Sequence, residues 1–144
     1  VLSSPKGVYL NYTNVTFRYT PSDIDLGACE LWGDFDGEFK LNQTDLSPIN
    51  YSENTFNLTL SDGVYTWNIR CSDIEGHFAF DGNKIFYVDT INPGVSIQSP
   101  VGKQTSRTGI PLQFLVNDAS PTSCWYNVEW AIGGIVKSNS SIAN

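Results

Sequence analysis

The chain's three cysteines are its residues with the most predictable chemistry. Cys29 and Cys71 lie 42 positions apart and could pair with each other, which leaves Cys124 without a partner. Such a disulfide would place the protein in an oxidising compartment. It would also stabilise the fold by about 3–4 kcal/mol, because it restricts the unfolded chain. Alternatively, Cys124 is a free cysteine that is buried and packs as a small hydrophobic residue.

A second candidate is a calcium loop in the segment "GDFDGEF", where Asp34 and Asp36 have the spacing of the first two ligands. An EF-hand needs further oxygen ligands and a Glu at loop position 12, where this chain has Asp45. We therefore interpret the segment as a hairpin turn and expect no metal there. Calcium between two domains, bound through Asp89 or Asp118, is kept as an alternative.

No residue pattern indicates catalysis. His77 is the single histidine and lies in a predicted loop, where a histidine is usually only solvated. The sequence contains no GxSxG, HExxH, CxxC or Gly-rich phosphate motif. We predict that the chain is not an enzyme, has no catalytic residues and needs no cofactor.

Tryptophans offer a binding chemistry, since exposed aromatic rings can stack on sugars. Trp32 and Trp125 are the candidate binding aromatics. Trp32 alternates with Leu31, so one of the two faces the core. Trp125 and Trp130 are five positions apart and face opposite sides of a regular strand, so we expect one of them in the core. Packing in a core or between domains is the favoured interpretation for these rings.

The elements that must position these residues are β-strands, because apolar and polar residues alternate with a period of two. Three segments carry the pattern. The predicted inward residues are Val15, Phe17 and Tyr19 in the first, Phe56, Leu58 and Leu60 in the second, and Tyr65, Trp67, Ile69 and Cys71 in the third. In the third segment, Thr66, Asn68 and Arg70 are predicted to face outward. Asp36-Gly37 and Asp62-Gly63 supply turns, the first in a hairpin arrangement. The segment 73–83 is predicted to be a long connection. This pattern predicts an all-β antiparallel sandwich.

The chain also repeats itself. Three landmarks recur at a similar offset: Ser4-Pro5 at Ser99-Pro100 (95 residues), Val15-Thr16-Phe17 at Leu112-Gln113-Phe114 (97), and Cys29 at Cys124 (95). We predict one domain at 1–90, a linker at 91–94 and the N-terminal part of a second domain at 95–144. The counterpart of Cys71 would fall near position 166, so Cys124 is expected to belong to an incomplete copy. The absence of methionine likewise suggests a processed form or a piece of a longer protein.

Charge limits the possible partners, and the sequons suggest an extracellular surface. Residues 1–92 carry 13 acidic against five basic residues, which disfavours nucleic acid and anionic lipid as partners. No apolar stretch is long enough to span a membrane. Six Asn-x-Ser/Thr sequons suggest N-glycosylation on an extracellular surface: Asn11, Asn14, Asn42, Asn50, Asn57 and Asn139.

The first repeat resembles the immunoglobulin-like repeats that occur in tandem in large cell-surface proteins of archaea and some bacteria. The resemblance is carried by "VTFRYTPSD" (15–23), "CELWGDFDG" (29–37), "LTLSDGVYTWNIRCSDIEG" (58–76) and "FYVDTINP" (86–93), and "PLQFLVNDASPTSCWYNV" (111–128) matches the start of another copy. It implies an Ig-like sandwich. Unlike antibody domains, this chain has no Cys in its second-strand pattern, and Cys29 would open the third strand and be bridged within one sheet.

The resemblance implies an extracellular spacer or display module of a glycosylated surface protein, such as an adhesin or a surface-layer component. Its partners would be neighbouring Ig-like domains of the parent chain, other copies of itself, glycans or surface proteins. Two alternatives stay open: a filament subunit assembled by strand complementation, and a carbohydrate- or protein-binding module.

Overall fold

The computed structural model describes residues 2–106, 108–119, 123–130 and 134–142, with the side chains of 127–130 and 134–142 left out. The chain divides into two compact units, Val1–Ile91 and Asn92–Asn144. Every regular element in the described ranges is a β-strand, so the predicted all-β class is confirmed.

The first unit contains nine strands. They are β1 (Leu2–Ser4), β2 (Tyr9–Leu10), β3 (Asn14–Tyr19), β4 (Leu26–Gly33), β5 (Lys40–Asp45), β6 (Asn54–Thr59), β7 (Gly63–Asp73), β8 (Phe78–Phe80) and β9 (Lys84–Val88). One sheet has the order β1-β3-β6, and the other has the order β2-β9-β7-β4-β5 with β8 also paired to β7. The β2–β9 pair is parallel, and the other described pairs of this unit are antiparallel.

The two sheets share one apolar core. The Phe17 ring on β3 meets the rings of Trp67 on β7 and Phe86 on β9 edge-on, with centroids 5.0 and 5.7 Å apart. All three side chains are fully buried, as is Leu31 on β4. The Trp67 indole N–H donates to the carbonyl of Pro5 at 2.7 Å, so the polar end of this buried ring has its partner.

The predicted inward faces of β3 and β6 are confirmed, since Val15, Phe17 and Phe56 are buried. On β7 Asn68 lies on the face opposite Trp67 and Ile69, as predicted, but it is only 3% exposed rather than solvated. Its amide donates to Asn83 and its carbonyl oxygen accepts from a backbone N–H, and a polar group so satisfied can be buried.

The segment 73–83 is not a simple connection, because it contains β8, which pairs with the C-terminal half of β7. By contrast, the hairpin predicted at Asp36-Gly37 is confirmed by the antiparallel pairing of β4 and β5. Gly37 has φ +94°, a backbone conformation that glycine adopts without a Cβ penalty.

The second unit contains β10 (Gly94–Ser99) paired with β11 (Gln113–Asn117), and β12 (Cys124–Trp130) paired with β13 (Gly134–Ile142). Its first hairpin repeats the register of the β1–β3 pair after 95 residues. The corresponding pairs are Leu2–Tyr19 with Ile97–Phe114, and Ser4–Arg18 with Ser99–Gln113. Each pair of strands also shifts register between these two positions.

This register corrects the sequence alignment, which matched Phe17 with Phe114 at an offset of 97. The counterpart of Phe114 is Tyr19, at an offset of 95. A slip of two residues keeps every side chain on the same face of a strand, so the apolar alternation could not distinguish the two offsets.

Candidate functional site

The disulfide joins Cys29 on β4 to Cys71 on β7, residues that are direct partners in the ladder with Cα atoms 4.1 Å apart. The bridge therefore lies within one sheet rather than across the sandwich. Cys29 sits in the middle of β4, which begins at Leu26, so it does not open its strand as expected. Cys124 is a free, half-buried thiol in the second unit.

A row of aromatic rings crosses the outer face of the larger sheet, and we call Phe39, Trp32, Phe80 and Phe78 the aromatic strip. Successive ring centroids are 6.5, 5.9 and 6.3 Å apart. Trp32 faces this outer side because its neighbour Leu31 is fully buried in the core. The strip therefore crosses the neighbouring strands β5, β4, β7 and β8 or their ends. Because adjacent strands are about 4.8 Å apart, its length across the sheet is about 15 Å.

The polar groups within the strip bind one another. The Glu30 carboxylate accepts a hydrogen bond from the Trp32 indole N–H at 2.9 Å and another from Arg70 at 3.2 Å. The Arg70 guanidinium lies over the Phe78 ring, 4.1 Å from its centroid. These contacts fix the Trp32 ring in position and stack a cation on the end of the strip.

Sequence analysis found Trp32 but missed the other three rings of the aromatic strip. The alternation in Phe78-Ala79-Phe80 was the available signal, since it is the pattern of a short strand. Trp125 is 65% exposed in the second unit, and the side chain of Trp130 lies outside the described residues.

Both acidic residues of the suspected calcium loop make contacts within the protein. The Asp34 carboxylate accepts a hydrogen bond from the Thr66 N–H at 2.7 Å, and Asp36 forms a 2.6 Å ion pair with Lys40. Both carboxylates therefore hold the β4–β5 turn, which agrees with the hairpin interpretation.

A different acidic group was missed by the sequence analysis. Carboxylate oxygens of Asp25, Asp73 and Glu75 lie within 4.8 Å of one another, and we call these residues the acidic cluster. A hydrogen bond with Asp23 and a second one with Glu75 raise the pKa of Asp25 to about 6. With one oxygen from each residue, the cluster supplies three ligands, fewer than the six to eight oxygens that Ca²⁺ takes, so the cluster alone does not define a metal site.

His77 lies beside this cluster and is largely exposed, as predicted for a loop histidine. Its Nδ1 is 2.7 Å from the Asp73 carboxylate, and its backbone N–H donates to the same side chain at 2.8 Å. These contacts hold the β7–β8 turn. They do not place a nucleophile near the imidazole.

A cavity of about 400 Å³ opens at this end of the first unit, between the β3–β4 loop, β7 and β8. Its wall combines the apolar Leu26 and Ile69 with the carboxylates of Asp23, Asp73 and Asp81. Asp81 accepts a hydrogen bond from the Leu2 N–H at 2.7 Å, which ties the first strand to the rim. This negative rim is unsuited to an anionic ligand.

Most sequons lie on exposed parts of the first unit. Asn11, Asn14, Asn42 and Asn57 are exposed, whereas Asn50 is half-buried with its amide hydrogen-bonded to both backbone groups of Asp23. The side chain of Asn139 lies outside the described residues.

Comparisons with protein-family models, with curated proteins and with solved structures find no match to this chain. In the described part of the chain, no helix has the length and hydrophobicity that crossing a membrane requires.

Proposed function

We propose that this chain is an Ig-like structural module of an extracellular, N-glycosylated cell-surface protein, acting as a spacer or display domain. The observation that carries the proposal is the strand order of the first unit. A three-stranded sheet, β1-β3-β6, faces a sheet with the order β9-β7-β4-β5. Assigned in chain order, this arrangement matches the A-B-E and G-F-C-C′ order of an Ig-like sandwich, which supports the proposal.

A hydrogen bond at the corner between β6 and β7 adds support. The Tyr65 hydroxyl donates to the carbonyl of Ser61, four residues upstream, at 2.9 Å. A tyrosine at the start of this strand that bonds back to the preceding corner is a hallmark of Ig domains. Here it stands six residues before Cys71 rather than two.

The proposed tandem arrangement is supported by the repeated hairpin register. The same pairs, with the same register shift, recur after 95 residues, which is the size of one Ig-like domain. Neighbouring copies within the parent chain are therefore the proposed partners.

Extracellular location is supported by the disulfide, because such bonds persist in oxidising compartments. The four exposed sequons of the first unit provide accessible attachment points for glycans.

Three measurements on the native protein test this proposal. The intact mass under non-reducing conditions should fall when N-glycans are removed, and alkylation before reduction should leave Cys29 and Cys71 unmodified. Protease treatment of intact cells should remove the epitopes of an antibody against the first unit. A protein without glycans that is protected until the cells are lysed would refute the proposal.

A further inference from the structure

The aromatic strip lies next to a sequon. Asn42 is on β5, the edge strand that pairs with β4, which carries Trp32. Because adjacent strands are about 4.8 Å apart, the first sugar on Asn42 would be within reach of the Trp32 ring.

A bulge in the ladder places Asn42 next to Leu41, the residue that pairs with this tryptophan. Leu31 pairs with Gln43 and Trp32 pairs with Leu41, so Asn42 is the extra residue between two successive pairs. Bulges redirect side chains at sheet edges. Asn42 is exposed, and its neighbour Leu41, as the partner of Trp32, belongs to the same outer face.

The strip leaves several large apolar side chains exposed on one sheet face. Phe78 is 59% exposed, and Phe39, Phe80 and Leu41 each exceed 40%. A continuous patch of this kind indicates a surface that is covered by something. The apolar faces of sugar rings stack on aromatic side chains, whose flat surfaces suit this contact.

The polar groups of the strip favour an attached glycan over a free saccharide as the group that covers it. The Trp32 indole N–H and the Arg70 guanidinium already donate to Glu30, and the Asn68 amide donates to Asn83. Arg70 Nε has no partner among the described residues, but it is buried. A free saccharide would therefore gain stacking with few directed hydrogen bonds. A glycan attached to Asn42 needs no such affinity, because its tether gives it a high effective concentration at the strip.

We propose that the aromatic strip is the packing site of the N-glycan carried by Asn42, which shields the rings from solvent. This inference rests on the proposed glycosylation and assigns a structural role to one of the sequons. Asn14 is the matched comparison, since it is exposed on β3 in the other sheet and pairs with Thr59.

Hydroxyl-radical footprinting of the full chain, secreted by a glycosylating eukaryotic host, tests the proposal. Glycopeptide mass spectrometry first gives the occupancy of each sequon. Oxidation of Trp32 and Phe80 should rise roughly threefold or more in Asn42→Gln, because the ring faces become open to solvent. Thr44→Ala, which removes the sequon and keeps Asn42, should give the same rise. Asn14→Gln should match the wild type, with Trp125 as the internal reference.

The outcomes separate this inference from the proposed function. Occupied sequons elsewhere with an empty Asn42 overturn the inference alone, whereas a chain without any N-glycan overturns both. Equal oxidation of Trp32 in the wild type and in both sequon variants also overturns the inference. Concentration-dependent dimers of the wild type with a protected Trp32 would assign the strip to a second copy instead.

Discussion

Reduction of the Cys29–Cys71 disulfide should destabilise the first unit by about 4 kcal/mol. The bridge closes a loop of 42 residues. In the chain-entropy relation, a loop of this length removes about 13 cal/mol/K from the unfolded chain, which is about 4 kcal/mol at 25 °C. For a unit of about 90 residues, that is a large fraction of a total stability of roughly 5–14 kcal/mol.

Native-state hydrogen exchange of β4 and β7 peptides would measure this loss in the first unit alone. The comparison uses the oxidised and reduced forms of a Cys124→Ser variant, so that the third thiol cannot exchange with the bridge. The urea m-value should rise on reduction, because the uncrosslinked unfolded chain exposes more surface. A loss below about 1 kcal/mol with an unchanged m-value would refute the argument from unfolded-chain entropy.

Three further perturbations test the core, the corner and the acidic cluster. Leu31→Ala should lower the free energy of unfolding in urea by about 2–5 kcal/mol, because Leu31 is fully buried. The control, Leu46→Ala, should change it by no more than about 0.5 kcal/mol, because Leu46 is 78% exposed. Similar losses in the two variants would contradict the assigned core. Tyr65→Phe should lower the stability of the fold by about 1 kcal/mol, because it removes the hydrogen bond to Ser61. Thermal unfolding measures this loss, and an unchanged midpoint temperature would show that the hydrogen bond is dispensable. The raised pKa of Asp25, about 6, means that the folded state binds more protons than the unfolded state between about pH 4 and 6. Stability from this carboxyl is therefore present at low pH and lost as the pH rises through 6, and Asp25→Asn should remove that pH dependence; a carboxyl titrating near 4 by NMR would contradict it.

Strand faces were predictable where one side of a strand meets the core, as for Val15 and Phe17 on β3. The periodicity of two follows from backbone geometry, so burial can be predicted without knowledge of the partner strand. It assigned Asn68 to the correct face but did not predict its burial, since its hydrogen-bond partner Asn83 is 15 positions away in the sequence.

The aromatic strip was not predictable for a related reason. Phe39, Trp32 and Phe80 lie in separate segments, and their proximity depends on the order of β5, β4, β7 and β8 in the sheet. Local patterns contain no information on that order. The acidic cluster likewise brings together Asp25 and Asp73, which are far apart in the sequence.

The position of the disulfide has a consequence for a chain that is pulled from its ends. Because Cys29 and Cys71 are covalently joined, the residues between them cannot extend even after the sheets separate. The 42-residue segment corresponds to about 140 Å of extended chain, at about 3.4 Å per residue. Under tension, the first unit thus has a reserve of hidden length whose release depends on the redox state of its surroundings.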